Sequence, residues 1–175
     1  MNSKINLKVI FIVFLIIGIN GCQGKKVDNS QINQNLETSK ITVFNFDNEK
    51  ELADYNKLNL DENYPNLLNA KISKTDYNEV MKSWTDLHQR IGTYLSENEF
   101  DWEVEENSIT IVQKIYFNAD GKIENYFFNV LNENVTEDKK EEFADLILNF
   151  AINNKIGFGS ERKFAQCGKT KYLNK

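Results

Sequence analysis

Between Tyr77 and Leu131 the apolar residues change their spacing from about 3.6 to 2. That switch restricts the chain to folds in which an amphipathic helix is followed by a half-buried sheet. Tyr77, Val80, Met81, Trp84, Leu87, His88, Ile91, Tyr94 and Leu95 recur at steps of three and four, drawing one broad apolar stripe along a helix. Thr75 or Asp76 can cap it, and Gly92 is tolerated inside it at a cost of ~1 kcal/mol against alanine. Phe100, Trp102 and Val104 then alternate with Asp101 and Glu103, the pattern of a strand. After a polar turn, Ile109, Ile111, Ile115 and Phe117 share one strand face. Asn118-Ala119-Asp120-Gly121 supplies a turn in which glycine accepts positive φ. Ile123 to Leu131 returns as the antiparallel partner.

Downstream, Thr136 caps a second helix whose first turn carries Glu137 and Asp138, where the helix dipole favours acids. Phe143, Leu146, Ile147 and Phe150 form its apolar stripe. A loop through Gly157 to Ser160 leads to a last strand near Arg162 to Cys167. Upstream, Lys40 to Phe46 is a β-branched and aromatic strand candidate. A short helical turn follows, with Asp47 as cap and Leu52, Tyr55 and Leu58 on one side, and Asn63 to Asn69 around Tyr64-Pro65 is loop. The expected fold is α+β: an antiparallel sheet of three to five strands with two amphipathic helices on one face, in the core order α-β-β-β-α-β. One domain is expected over residues 40–175.

The amino-terminal segment obeys different rules. Lys4 and Lys8 precede Val9 to Ile19, eleven residues of which only Gly18 interrupts the large apolar side chains. A transmembrane helix needs about 20 apolar residues, so this run has the length of a signal-peptide apolar region. It ends at Ile19-Asn20-Gly21-Cys22. This tetrapeptide resembles the lipobox of bacterial lipoproteins: a branched aliphatic, a spacer, a small residue and cysteine, with Asn20 departing from the usual spacer. The resemblance implies that residues 1–21 are a cleaved signal peptide and that Cys22 carries acyl chains. Two or three acyl chains anchor stably where one alone is reversible. Residues 22–39 are polar and without period, and are expected to form a flexible tether. The lack of Asp after the cysteine implies the outer membrane of the cell envelope rather than the inner one.

Residues Lys114 to Asn125, KIYFNADGKIEN, resemble the hairpin of TonB C-terminal domains. Together with the flanking helices and the last strand, the likeness covers residues 75–172. It implies the fold and the idea of a protein-binding sheet edge. The chain has a lipid-type anchor where that family has a spanning helix, and it lacks the family's Pro-rich spacer, since Pro65 is its only proline. Energy transduction is therefore not carried over.

The remaining residues exclude more chemistry than they suggest. The net charge is −5, and loss of Lys4 and Lys8 with the signal peptide makes it more negative. Arg90 and Arg162 are the only arginines, so no basic face for nucleic acid is expected. With Cys22 lipidated, Cys167 has no disulfide partner and reads as a small buried side chain on a late strand. His88, the single histidine, reads as a packed core residue. No G-x-S-x-G elbow accompanies it, and a zinc site would need mostly carboxylates. Gly168-Lys169-Thr170 lacks the first glycine and the following helix of a P-loop. Asn118, Asp120 and Gly121 lack the spaced acids of a calcium loop, because Tyr116 and Phe127 stand in their places. No cofactor or metal is expected.

Glu103, Glu105 and Glu106 beside Trp102 read as a solvated turn, with sugar or cation binding as the sharper alternative. Tyr126, Phe127 and Phe128 place aromatic side chains on both faces of a strand. One face is expected to lie under helices and the other under residues 40–60 or a partner. Trp102, Tyr126 and Phe128 are accordingly the expected binding surface. The function this favours is a membrane-anchored envelope lipoprotein with a non-catalytic binding or accessory domain. The alternatives are a small enzyme acting on glycan or peptide through carboxylates such as Asp101 or Glu103, and a carrier of lipid or small molecules with a greasy cavity under the sheet.

Overall fold

The hairpin organises the domain. In the computed structural model, which describes residues 40–174, strand β2 (Ser108–Phe117) runs antiparallel to β3 (Ile123–Val130). Gly121, at φ +81°, closes the turn between them. A Cβ there would fall 2.6 Å from the Phe158 carbonyl, so both the backbone angle and the close approach require glycine. The segments expected to be a signal peptide (residues 1–21) and a tether (residues 22–39), with the expected lipidation site Cys22, lie outside the described residues.

Two more strands complete the sheet in the order β1-β3-β2-β4. Strand β4 (Phe164–Leu173) pairs antiparallel with the whole of β2, from Ser108 against Leu173 to Phe117 against Phe164. It runs further than the expected Arg162 to Cys167 and carries Gly168-Lys169-Thr170 inside its ladder. Strand β1 (Thr42–Asn45) lies parallel to β3, Val43 opposite Tyr126 and Asn45 opposite Phe128. The sheet is thus mixed, which corrects the all-antiparallel expectation.

Helix α1 (Glu49–Lys57) is capped by Asn48, whose side chain accepts from the N–H groups of Lys50 and Glu51, so the cap stands one residue after the expected Asp47. The short helix α2 (Ala70–Ser73) falls just beyond the region expected to be loop. Helix α3 (Tyr77–Glu97) begins behind Asp76, which makes no capping hydrogen bond. Helix α4 (Glu137–Asn153) has Thr136 as N-cap, accepting from the Lys139 N–H. The order helix, hairpin, helix, strand broadly follows the expected α-β-β-β-α-β, less its first strand.

Helices α3 and α4 cover one sheet face. Trp84, Leu87, Ile91 and Leu95 from α3 and Phe143, Ile147 and Phe150 from α4 share a core with Ile109, Ile111, Ile115, Tyr126, Phe128 and Tyr172 from the sheet. The other face is partly roofed by the chain itself. Tyr55 of α1 stacks on Phe127 with ring centroids 4.3 Å apart, and Tyr64 meets Tyr116 edge-on at 5.3 Å. The cover expected from residues 40–60 or a partner is therefore supplied by α1 and the turn after it.

The second correction concerns Phe100 to Val104, which form no strand. Glu99 and Glu103 both adopt φ of 55°, a left-handed conformation that breaks an extended ladder. The Asp101 carboxylate accepts from the Glu103 N–H, and Asn174 holds the segment from the other side by accepting from the Trp102 N–H and donating to Val104 O. Every second side chain still points inward, so the alternation is that of a plug. Phe100 and Trp102 pack against Phe143 at 6.2 and 5.1 Å.

Candidate functional site

The three residues expected to form a binding surface are core residues. Trp102 is 2% exposed, and Tyr126 and Phe128 are 0% exposed. The physical reason is the strand pairing: Tyr126 and Phe128 lie on the helix-covered face, where the Tyr126 hydroxyl donates to Gln113 Oε1. Phe127, on the opposite face, is the member of the trio that α1 covers.

The acidic alternative gathers only loosely. Asp101, Glu103, Glu105 and Glu106 line a shallow depression of about 590 Å³ with Asn134. Glu103 is held by Lys139 at 3.0 Å, and Glu106 accepts from the Asn134 amide. Each of these contacts ties the acid to a neighbouring element, the role of a turn.

Cys167 and the tyrosines of the second face are similarly occupied. Cys167 is half-buried on β4, and burial pushes its thiol up, away from thiolate reactivity. The Tyr116 hydroxyl lies 2.5 Å from that of Tyr55 and donates to Asp61 at 2.9 Å. Burial, followed by these partners, raises its pKa far above the ordinary tyrosine value. Burial alone would raise the Asp61 carboxyl as well. The hydrogen bonds from Lys114 and Tyr116 outweigh it and hold Asp61 below the usual carboxylate range. The cluster is a satisfied ionic tie between sheet and roof.

What stands open is the outer edge of β4 together with the groove beside it. Strand β4 is the last of the sheet, and only its beginning is paired on the outside. Ala165 donates to Pro65 O at 3.0 Å and accepts from the Leu67 N–H at 2.8 Å, and the Cys167 N–H reaches the Asn66 side chain at 3.2 Å. In an antiparallel ladder a residue's N–H and C=O point to the same side. The regular register therefore turns the backbone groups of Lys169 and Lys171 outward too, with no strand to meet them among the described residues.

Helix α3 stands over this edge, and Gly168 lets it approach while Gly92 leaves ordinary contact distance. A Cβ at Gly168 would meet the Trp84 ring at 3.0 Å, and one at Gly92 would lie 3.6 Å from the Tyr172 ring. Between helix and strand runs a groove of about 1120 Å³, lined by Met81, Trp84, Gly92, Thr170, Tyr172 and, at one end, Trp102. Trp102 is thus the one expected surface residue that touches it. His88 lies in the groove wall, with its Nδ1 2.5 Å from the Tyr172 hydroxyl. Burial lowers its pKa to about 3, so the ring is neutral at physiological pH. His88 Nε2 and Thr170 Oγ1 are buried without a hydrogen-bond partner among the described residues.

The residue pattern placed Met81, Trp84, His88 and Gly92 on their helix, but it ended the last strand at Cys167, short of Thr170 and Tyr172, and gave Trp102 a strand that does not form, so the groove itself was not foreseen. The signal was the strand-final Lys169-Thr170-Lys171 run, charged at alternate positions as an exposed edge strand often is. Among the described residues no group of three His, Cys, Asp or Glu side chains is placed to hold a metal ion, and no helix is long and apolar enough to cross a membrane. No protein family, curated protein or solved structure matches this chain.

Proposed function

We propose that this chain is a bacterial envelope lipoprotein, held by acyl chains on Cys22, whose folded domain is a non-catalytic adaptor receiving a protein partner at the outer edge of β4. The observation that carries the adaptor half is the unpaired run from Lys169 to Leu173, which lies beside a groove walled by α3. An unpaired strand edge is a ready template for another chain's backbone, and a neighbouring groove can take alternate side chains. The resemblance of residues 75–172 to TonB C-terminal domains supports the same reading. The short apolar run ending at Ile19-Asn20-Gly21-Cys22 supports the anchor.

Two experiments test the two halves. Intact-mass spectrometry of natively expressed protein should find a chain beginning at Cys22 with added acyl mass, and a Cys22→Ser variant should lack that mass and leave the membrane fraction. A chain retaining Met1, or starting at Cys22 without acyl mass, removes the anchor. For the edge, a photo-crosslinker placed at Leu173, which is 88% exposed, should capture an envelope protein. One at Ile152 on α4, also exposed, should not. Capture that persists at equal yield in a Lys171→Pro variant, which removes an outward N–H, would refute use of the edge.

A further inference from the structure

We infer that the partner segment taken up at the β4 edge is an extended stretch in which acidic and apolar residues alternate. This inference rests on the edge-binding reading above. It adds the chemistry of the occupant, which the unpaired backbone alone does not specify.

The argument begins with the two faces of β4. In its register Gly168, Thr170 and Tyr172 point toward the helices, while Cys167, Lys169, Lys171 and Leu173 point to the opposite face, beside Lys114, Val112, Thr110 and Ser108 of β2. Lys114 is neutralised by Asp61 at 2.5 Å. Lys169 and Lys171 are exposed and form no ion pair among the described residues. A strand added outside β4 continues the same alternation. Its side chains on the helix side enter the groove floored by Trp84, Gly92 and Tyr172, an apolar and aromatic surface. Those on the other side stand next to Lys169 and Lys171. Opposite charges across neighbouring strands stabilise, and like charges destabilise. Acids on one side and apolar residues on the other are therefore selected together.

Length follows from the same edge. Pro65 to Leu67 and the Asn66 side chain already occupy the outer groups of Ala165 and Cys167. Only the stretch from Lys169 to Leu173 accepts a new strand. A second copy of this chain is disfavoured, because antiparallel pairing of two β4 edges brings Lys169 and Lys171 against their own counterparts.

The test uses the full-length chain in detergent and three labelled synthetic hexapeptides that alternate valine with glutamate, with lysine or with glutamine. Binding is read by fluorescence anisotropy, and hydrogen exchange reports the edge amides. The glutamate peptide is expected to bind roughly three- to tenfold more tightly than the glutamine peptide, the range two exposed charge pairs supply. It should also protect the amides of Lys169 and Lys171. The order of glutamate and lysine peptides should reverse in the Lys169→Glu/Lys171→Glu double variant.

A glutamate peptide N-methylated at alternate amides should lose binding, which separates strand pairing from charge attraction without altering the protein. Equal binding of all three peptides with protected edge amides overturns the charge inference and leaves the edge reading standing. Absence of any edge protection, with full binding of the N-methylated peptide, overturns both. Charge-reversal-sensitive binding to anionic phosphatidylglycerol vesicles with no edge protection by any peptide would mean that the two lysines meet a lipid surface, and also overturns the inference.

Discussion

His88 is the chain's only histidine, which makes its effect on stability separable from that of every other side chain. The ring is buried between α3 and β4, against Trp84 at a centroid distance of 4.0 Å and hydrogen-bonded to Tyr172 at 2.5 Å. Burial moves its pKa from 6.5 to about 3. Because the folded value is depressed, the unfolded chain binds the proton first as pH falls. Between pH 6.5 and 3 the unfolded state therefore holds more protons, and stability declines toward acid. Each pH unit inside that window costs up to about 1.4 kcal/mol, so about 2 kcal/mol is lost between pH 8 and pH 5. Free aspartate and glutamate side chains, at about 3.9 and 4.3, titrate mainly below this interval. Replacing His88 by glutamine keeps a polar side chain within reach of Tyr172 and removes the titration. Urea unfolding at pH 8, 6.5 and 5 should give the wild-type protein a decline of about 2 kcal/mol and the His88→Gln variant a nearly flat profile. An unchanged decline in the variant would show that the proton is taken up elsewhere and refute the burial argument.

Three further substitutions probe the packing. Gly121→Ala meets both a left-handed φ and the Phe158 carbonyl, and should cost at least about 2 kcal/mol in denaturant titration. Trp102→Ala empties a site between Phe100 and Phe143 and should cost about 3–5 kcal/mol, seen as a lowered melting temperature. Gly168→Ala pushes on a Trp84 ring fixed by its neighbours. It should destabilise by about 1–3 kcal/mol and shift the tryptophan emission, since the ring must move to accommodate the methyl.

How much of this was readable from residues alone follows from how local each signal is. The stripe from Val80 to Leu95, the Asn118 to Gly121 turn and the Thr136 cap are short-range patterns, and each element stands where its pattern put it. The parallel pairing of β1 with β3 has no local signature, because Val43 and Tyr126 meet only through the intervening fold. Phe100 to Val104 carried the period of a strand, but the left-handed turns at Glu99 and Glu103 converted that period into a plug. Tyr126 and Phe128 looked like surplus aromatics because the depth of the cover above a strand depends on helices remote in sequence. The β4 groove escaped for the same reason: Trp84 and Gly168 are far apart in the chain and come together only when α3 settles on the sheet.

The two outer strands of the sheet have a mechanical consequence. Residue 40 leads directly into β1, and β4 lies three strands away at the opposite border. A pull between the leading segment and anything gripping β4 must cross every rung of the ladder. The rungs are unequal: β1 is joined by four residue pairs, whereas β4 is joined to β2 by ten. Under load β1 would peel first, resisted by the Phe46 N–H on Phe128 O, by Glu51 on the Asn45 N–H, by Lys140 bridging Asp47 and Glu137, and by the Phe44 ring against Tyr55. Under such a load the arrangement would act as a fuse at the β1 border, yielding there while the hairpin, α3 and β4 stay intact.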